Sequence, residues 1–115
     1  MRILKIALVL ALITAPAAAE TIQATDAASH VGQTTTVEGV VSNVYVSHSG
    51  TTFIDMGGSY PNSTFTAVIF SSDASKFPNI SALSGKKADI TGPIKLYRGK
   101  PEIILNSADQ VKPAP

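Results

Sequence analysis

Cysteine and tryptophan are absent from this sequence of 115 residues, and aromatic residues make up only 6% of it. Without cysteine the chain forms no disulfide and offers no thiol for catalysis or metal binding, so packing and hydrogen bonds must stabilise it. Long blocks of like charge, internal repeats and coiled-coil heptads are missing too. We therefore expect one small domain, whose hydrophobic core is near the smallest size that stabilises a fold.

The longest apolar run, residues 6–13, is too short to cross a bilayer, which takes a helix of about 20 residues. It follows the basic residues Arg2 and Lys5 and precedes the small residues Ala17–Ala19. This order is typical of a secretory signal peptide. We therefore predict that residues 1–19 are a cleaved signal peptide and that the protein is exported, to a bacterial periplasm or the medium. A buried N-terminal helix is less favoured because this stretch has no polar face.

The net charge is close to zero. The whole chain carries a formal charge of +1. Loss of Arg2 and Lys5 with the signal peptide leaves seven basic and eight acidic residues, a formal charge of −1. A protein-wide basic field, which attracts nucleic acid, is therefore not expected, and neither is membrane insertion after cleavage.

From Thr34 onward, β-branched and aromatic segments are separated by turn residues, a pattern that predicts strands. Gly39, inside the first strand, predicts a bulge or a bend. Ser72 is placed to cap a short helix that ends before Pro78. Five strands are predicted, at residues 34–46, 51–56, 65–70, 87–97 and 100–106.

This order of elements predicts an all-β fold, a five-stranded Greek-key barrel of the OB-fold class with a short helix between strands three and four. Barrel closure suits a small protein without disulfides because it leaves no exposed sheet edge. An SH3-like barrel or a small sandwich fits less well, since neither needs that helix. The predicted domain covers residues 20–110, and residues 111–115 are predicted to be a disordered tail.

Eight short motifs, spread over most of the chain, carry a family resemblance. They are Val31–Gln33, Val37–Val41, Gly50–Asp55, Tyr60–Pro61, Phe65–Phe70, Gly85–Lys87, Thr91–Gly92 and Leu96–Ile103. Together they resemble the OB-fold nucleic-acid-binding domains of the anticodon-binding type, as found in small exported bacterial proteins. The resemblance covers roughly residues 31–106 and implies an OB-fold with a binding function. OB-folds bind nucleic acids, sugars, proteins and small ligands on one scaffold.

The resemblance implies a ligand surface on strands two and three and on the loops that join strands one to two and four to five. In the second of these loops, Tyr97, Arg98 and Lys100 form a basic and aromatic turn. Lys95 lies two residues before Tyr97, on the same side of the strand. Single-stranded nucleic acid binding uses this combination, since aromatic rings stack on bases and cations neutralise phosphates. An ordinary solvated hairpin is the alternative.

Phe53 and His48 are two further candidates for ligand binding. If Ile54 and Met56 face inward, Phe53 faces outward and offers a stacking platform, whereas the opposite register buries it. The sequence leaves both registers open. His48 lies in the predicted loop between strands one and two, either as a polar contact to the ligand or as a solvated loop residue.

No constellation for catalysis or for a metal occurs in the sequence. Asp55 is a single carboxylate, whereas acid–base pairs need two groups and metal sites need clustered ligands. His30 and His48 are the only histidines and lack a ligand spacing. Neither a Gly-x-Ser-x-Gly nucleophile motif nor a phosphate-binding glycine loop is present. We therefore expect no enzymatic activity, no cofactor and no metal.

Two functions remain as expectations. The first is an exported OB-fold protein that binds single-stranded nucleic acid or an oligonucleotide, on the basic and aromatic turn. The second is a periplasmic OB module, related to stress or the envelope, that binds a protein or a small ligand without nucleic-acid activity. The mild negative charge after cleavage suits the second, because such binding needs no cationic track.

Overall fold

Residues 19–115 are described by a computed structural model, and they contain eight β-strands and four short 3-10 helices. The signal peptide predicted over residues 1–19 lies outside the described residues, Ala19 excepted. No helix among residues 19–115 is long and apolar enough to cross a membrane. The 3-10 helices span Ala24–His30, Ser71–Lys76, Ile80–Leu83 and Ala108–Gln110. The strands are β1 (Thr21–Gln23), β2 (Thr34–Val46), β3 (Thr52–Met56), β4 (Phe65–Ile69), β5 (Lys87–Pro93), β6 (Lys95–Tyr97), β7 (Lys100–Ile104) and β8 (Val111–Pro113).

The long strand β2 pairs with two different neighbours. Residues 34–40 lie antiparallel to β5, and residues 41–46 lie antiparallel to β3. Near the change of partner, a β-bulge places one extra residue, Ser42, in β2. The bulge therefore lies at Ser42 and not at Gly39, where the sequence predicts a bulge or a bend. Gly39 instead packs closely against the core, since a Cβ there would lie 3.1 Å from Met56 Sδ.

Closure into a barrel follows from the order of the strands. Hydrogen bonds connect them in the order β6, β7, β4, β3, β2, β5. The two ends of this path are one chain segment, because β5 and β6 are separated only by Ile94; the sequence predicts this segment as a single strand. β4 and β7 are parallel, and the other neighbours on the path are antiparallel. This is the Greek-key order of an OB-fold, so the predicted fold class is confirmed.

The connection between β4 and β5 contains two 3-10 helices, where the sequence predicts one short helix. Phe70 is the N-cap residue of the first, so the prediction that Ser72 caps this helix is wrong. The segment is instead held by apolar contacts. Phe77, which follows the first helix, is buried in the core, and Ile80 of the second helix packs against it from outside.

The barrel interior is filled by alternate residues of the strands. Ile54 and Met56 of β3 are fully buried, so Phe53, which directly precedes Ile54, points outward, and this selects the first of the two registers considered. Phe65 of β4 is the largest fully buried side chain, and its replacement by alanine would cost ~3–5 kcal/mol of stability. Other fully buried apolar residues of the strands are Val37, Val41, Ala67, Ile69, Ala88, Ile90 and Ile103.

Two short edge strands are not predicted from the sequence. β1 lies parallel to β2, and β8 lies antiparallel to β5. The prediction of a disordered tail over residues 111–115 is wrong for Val111–Pro113, because these residues form β8. The approach to β8 is fixed by Gln110, whose Oε1 accepts hydrogen bonds from the amides of Asn106 and Ser107 at 2.8 and 2.9 Å.

Candidate ligand-binding face

The outer side of β2, β3, β4 and β7 carries a row of aromatic and aliphatic side chains. Residues opposite each other in neighbouring strands point to the same side of the sheet. Tyr45 lies opposite Phe53, and their rings stack with centroids 6.3 Å apart and an interplanar angle of 24°. Phe53 lies opposite Val68, and Val68 lies opposite Ile104. Tyr45 is 54% exposed and Val68 only 4%, so the row runs from an exposed ring to a covered aliphatic floor.

A polar row lies beside the aromatic row on the same side of the sheet and continues onto β6. Its two carboxylates differ in environment, because Asp55 is 1% exposed whereas Glu102 is half-buried. In order across the sheet, the row consists of Asn43, Asp55, Thr66, Glu102 and Lys95. We call these two rows, together with the turn between β6 and β7, the β3–β4 face.

The turn between β6 and β7 carries the predicted basic residues. Arg98 and Gly99 have φ angles of 50° and 76°, as the central residues of a type I′ turn do. The Arg98 guanidinium lies 5.3 Å from the centre of the Tyr97 ring, a cation–π distance. Lys100 lies opposite Tyr97 in the ladder, and Lys95 begins β6. The four residues predicted here, which we call the hairpin residues, are therefore together.

The loop between β3 and β4, residues 57–64, adds a further ring at this end of the face. Tyr60 is 69% exposed, and Lys100 Nζ lies 5.4 Å from the centre of its ring. Neither Tyr60 nor Tyr45 is predicted as a site residue from the sequence. Tyr45 could have been found, because the turn at Ser47–Gly50 sets it opposite Phe53 once the strand register is known. The Tyr60–Lys100 contact joins residues that are far apart in the sequence, so no local sequence pattern predicts it.

His48 lies at the other end of this surface. It belongs to the turn that leads into Thr52, the first residue of β3, whereas the hairpin lies toward Met56, the last residue of β3. The structure therefore brings the four hairpin residues together and places Phe53 between the two ends. It does not bring His48 to the hairpin.

Among residues 19–115, no carboxylate forms an ion pair with a hairpin cation. Within residues 19–115, the ion pairs shorter than 4 Å are Lys76–Asp73 at 2.8 Å and Lys87–Glu38 at 3.0 Å. Glu102 lies opposite Lys95 in the ladder. Burial raises the pKa of Glu102, and the charge of Lys95 opposes this shift. The hairpin end of the face thus presents cations to a ligand, beside one carboxylate that is costly to ionise.

Asp55, which the sequence presents as a lone carboxylate without a second acidic group, is buried within the β3–β4 face. Its Oδ1 accepts a hydrogen bond from Thr66 Oγ1 at 2.9 Å, and its Oδ2 accepts one from the Tyr60 amide at 3.4 Å. Among the residues that the structure describes, no three His, Cys, Asp or Glu side chains lie close enough to hold a metal ion. The hydrogen bonds of Asp55 therefore tie β3 to β4 and to the loop between them.

Comparison with solved structures finds a similar fold within a larger protein. A chain assigned as an aspartyl-tRNA synthetase from Leishmania major Friedlin superposes with a TM-score of 0.55 and 10% sequence identity, over 83% of this chain and 21% of that chain. An aspartyl tRNA synthetase from Entamoeba histolytica gives a TM-score of 0.42 and 18% identity, over 76% of this chain and 20% of that one. No protein-family model matches the sequence, and no curated protein matches it significantly.

Strand order and structural similarity together define the class of this protein, an OB-fold barrel. The predicted resemblance to OB-fold domains is therefore confirmed at the level of the fold. The match spans about a fifth of each synthetase chain. At this level of identity, the similarity shows the fold.

Proposed function

We propose that this chain is a binding protein whose β3–β4 face takes single-stranded nucleic acid or a short oligonucleotide. The observation that carries the proposal is the convergence of exposed rings and unpaired cations on one face. Bases stack on aromatic rings and phosphates bind cations, which is how single-stranded nucleic acids are held. The structural neighbours are, by name, enzymes of tRNA, which is additional support. The exposed rings are those of Tyr45, Tyr60 and Tyr97, and the half-buried ring of Phe53 lies beside Tyr45.

The middle and the hairpin end of the face would hold different parts of the ligand. Tyr45 and Phe53 offer a stacked pair of rings above the aliphatic floor, with no lysine or arginine in their row. The cations are confined to the hairpin, where Arg98 lies against Tyr97 and Lys100 against Tyr60. We therefore assign base stacking to the middle of the face and phosphate contacts to the hairpin.

A salt titration tests this proposal. A fluorescein-labelled oligothymidylate should bind, as followed by anisotropy, and its affinity should fall as salt is raised from about 50 to 200 mM. Three cations predict a slope of log affinity against log salt of roughly −2, since each contributes about −0.7 on a single strand. A duplex of the same length should bind more weakly, because its bases are stacked within the helix. Absence of binding at low salt, or a slope of zero, would overturn the proposal.

One observation favours a second candidate function. Glu102 places a half-buried carboxylate in the middle of the β3–β4 face, where it repels a continuous track of phosphates. A protein segment or a small ligand with hydrogen-bond donors would meet no such repulsion. Co-purification from a periplasmic extract tests this alternative: recovery of neither a protein nor a small molecule would count against it.

The proposal includes export and a binding role without catalysis. Export rests on the pattern of residues 1–19 alone, and a protein purified from the periplasm or the medium should have the intact mass of a chain that begins at Glu20. A full-length chain recovered from the cytoplasm would contradict export. It would leave the binding proposal intact, because the β3–β4 face lies entirely beyond residue 42.

A further inference from the structure

Asp55 is a buried charged residue that the proposed binding contacts do not use. It is 1% exposed although it points to the outer side of β3, and within residues 19–115 it forms no ion pair. A buried carboxylate is costly unless hydrogen bonds satisfy it. The donors are the Thr66 hydroxyl at 2.9 Å and the amide of Tyr60 at 3.4 Å, five residues further along the chain. One of the two therefore belongs to the loop that covers this part of the face.

The same loop is folded back on its own strands by further hydrogen bonds. Ser42 Oγ, at the bulge of β2, donates to the carbonyl of Gly58 at 2.7 Å. The amide of Thr64 donates to the carbonyl of Met56 at 3.0 Å. The hydroxyls of Ser63 and Thr66 lie 3.2 Å apart, which links the end of the loop to the residue that bonds Asp55. Asp55 is thus the central acceptor beneath the loop.

We propose that Asp55 is a positioning residue: it holds the loop between β3 and β4 so that the Tyr60 ring stands beside Lys100 at the hairpin end of the β3–β4 face. The bond to the Tyr60 amide fixes the backbone from which this ring projects. A ring that is 69% exposed has few packing contacts to orient it, so the backbone bond sets its position. The effect of Asp55 on ligand binding rests on the proposed function, whereas its effect on the position of the loop does not.

Hydrogen exchange tests the loop without any ligand. In Asp55→Asn, the amide of Tyr60 should exchange about tenfold faster, because its charged acceptor is lost. The amides of Ile54 and Ala67 in the barrel strands should keep their rates. Thr66→Val, which removes the hydroxyl that donates to Asp55 and also contacts Ser63, should show the same pattern more weakly. Its matched control is Thr91→Val on β5, which removes a hydroxyl paired with another hydroxyl and should leave the loop unchanged.

A double-mutant cycle tests the consequence for binding. Asp55→Asn should weaken oligothymidylate binding about fivefold, and Tyr60→Ala by a similar factor. Combined, they should lose no more than Tyr60→Ala alone, because Asp55 acts through Tyr60. A merely structural role would give Asp55→Asn the same loss in both backgrounds. Asp26→Asn, which removes an equal charge from a 3-10 helix outside the face, is the control for net charge.

The outcomes separate the inference from the proposed function. Unchanged exchange of the Tyr60 amide in Asp55→Asn would overturn the positioning role, whatever binds. Faster exchange with additive losses of affinity would also overturn it as a role in binding. If the wild-type protein binds no oligonucleotide, the proposed function fails, and the exchange of the Tyr60 amide alone decides whether Asp55 positions the loop.

Discussion

The barrel has two outer faces, and they differ in whether a lysine of the face forms an ion pair with a carboxylate of the same face. On the β2–β5 face, the outer side of these two strands, the hydroxyls of Thr36 and Thr91 lie 2.7 Å apart. Lys87 binds Glu38 there at 3.0 Å. On the β3–β4 face, exposed rings and the hairpin cations face solvent. Groups that are satisfied within the protein serve the fold, and groups left open are available to a ligand.

The carboxyl groups show the same difference. Glu38 and Asp89 lie opposite each other on the β2–β5 face. A hydrogen bond from Lys87 lowers the pKa of Glu38, whereas burial, together with the nearby Glu38 carboxyl, raises the pKa of Asp89. On the β3–β4 face, Glu102 faces a lysine without a close ion pair. Lys87 therefore pairs with a carboxyl of its own face, whereas the β3–β4 face presents Glu102 to a ligand.

The largest expected effect comes from removing the hairpin cations. Combined Lys95→Gln, Arg98→Asn and Lys100→Gln should weaken oligothymidylate binding about a hundredfold and abolish most of its salt dependence, because phosphate neutralisation supplies both. Asparagine is chosen at position 98 because it tolerates the positive φ found there. Anisotropy titrations at several salt concentrations measure the affinity and the slope.

A matched triple variant takes three cations from the rest of the barrel. Combined Lys76→Gln, Lys86→Gln and Lys112→Gln changes net charge by the same amount and should alter affinity by no more than about twofold, since distant surface charges are screened. Equal losses in the two triple variants would mean that net charge controls binding, and the contrast between the faces would no longer hold.

The next effect concerns stacking in the middle of the β3–β4 face. Phe53→Leu keeps Val68 covered but removes the ring, and it should weaken binding about tenfold with an unchanged salt slope. The control is Val40→Ala, an apolar residue 57% exposed on the β2–β5 face, which should leave binding unchanged. If Phe53→Leu bound oligothymidylate as tightly as the wild type, bases would not stack on this row.

Neutralising Asp89, the half-buried carboxyl of the β2–β5 face, should change stability and not binding. The folded-state pKa of Asp89 is raised above 3.8, so its contribution to stability is present below that pH and is lost as the pH rises through the raised value. Asp89→Asn should therefore raise Tm at about pH 7 by about 2 °C and have no effect near pH 3. The groups facing it are Glu38, Lys87 and Lys112. A lower Tm of the variant at pH 7 would contradict the sign.

On the β3–β4 face, the corresponding change should act on binding. Glu102→Gln removes a charge that repels phosphates and should strengthen oligothymidylate binding about twofold at neutral pH. Since the pKa of Glu102 is raised above 4.5, wild-type affinity should rise as the pH falls through that raised value. The variant should lack this rise. Thymine does not titrate in this range, so a rise that persists in the variant would point to other groups on the protein.

Much of the fold can be predicted from the sequence because it depends on local patterns. The strands, the turn at Arg98–Gly99 and the crossing between β4 and β5 each carry their own signal of β-branched residues, glycine or proline. The bulge at Ser42 and the strand β8 are missed because both depend on partners far along the chain. For β8 the partner is β5, which the Gln110 side chain, directly before β8, also contacts by donating a hydrogen bond to the Thr91 carbonyl at 3.1 Å.

The candidate site likewise has a part that the sequence predicts and a part that it does not. The hairpin residues are close in sequence, so their grouping can be predicted, and Phe53 can be narrowed to two registers. Tyr60 and Asp55 cannot be predicted as a pair, because the burial of Asp55 arises only when the loop folds back over β3. A carboxylate in a strand with no second acidic residue nearby gives no sign of that role. The contrast between the two faces likewise depends on which groups meet across strands.

The smallest effect is expected at the far end of the β3–β4 face. His48 is exposed in the turn between β2 and β3, with Ser47 and Ser49 on either side, whose hydroxyls lie 2.9 Å apart. It is separated from the hairpin by the length of β3, about 17 Å for five residues. His48→Ala should therefore change the affinity for a short oligonucleotide less than twofold, with its salt slope unchanged. With a longer oligonucleotide that reaches the turn, the same substitution should weaken binding measurably. A large loss of affinity for the short oligonucleotide would mean that the binding surface extends over the whole face.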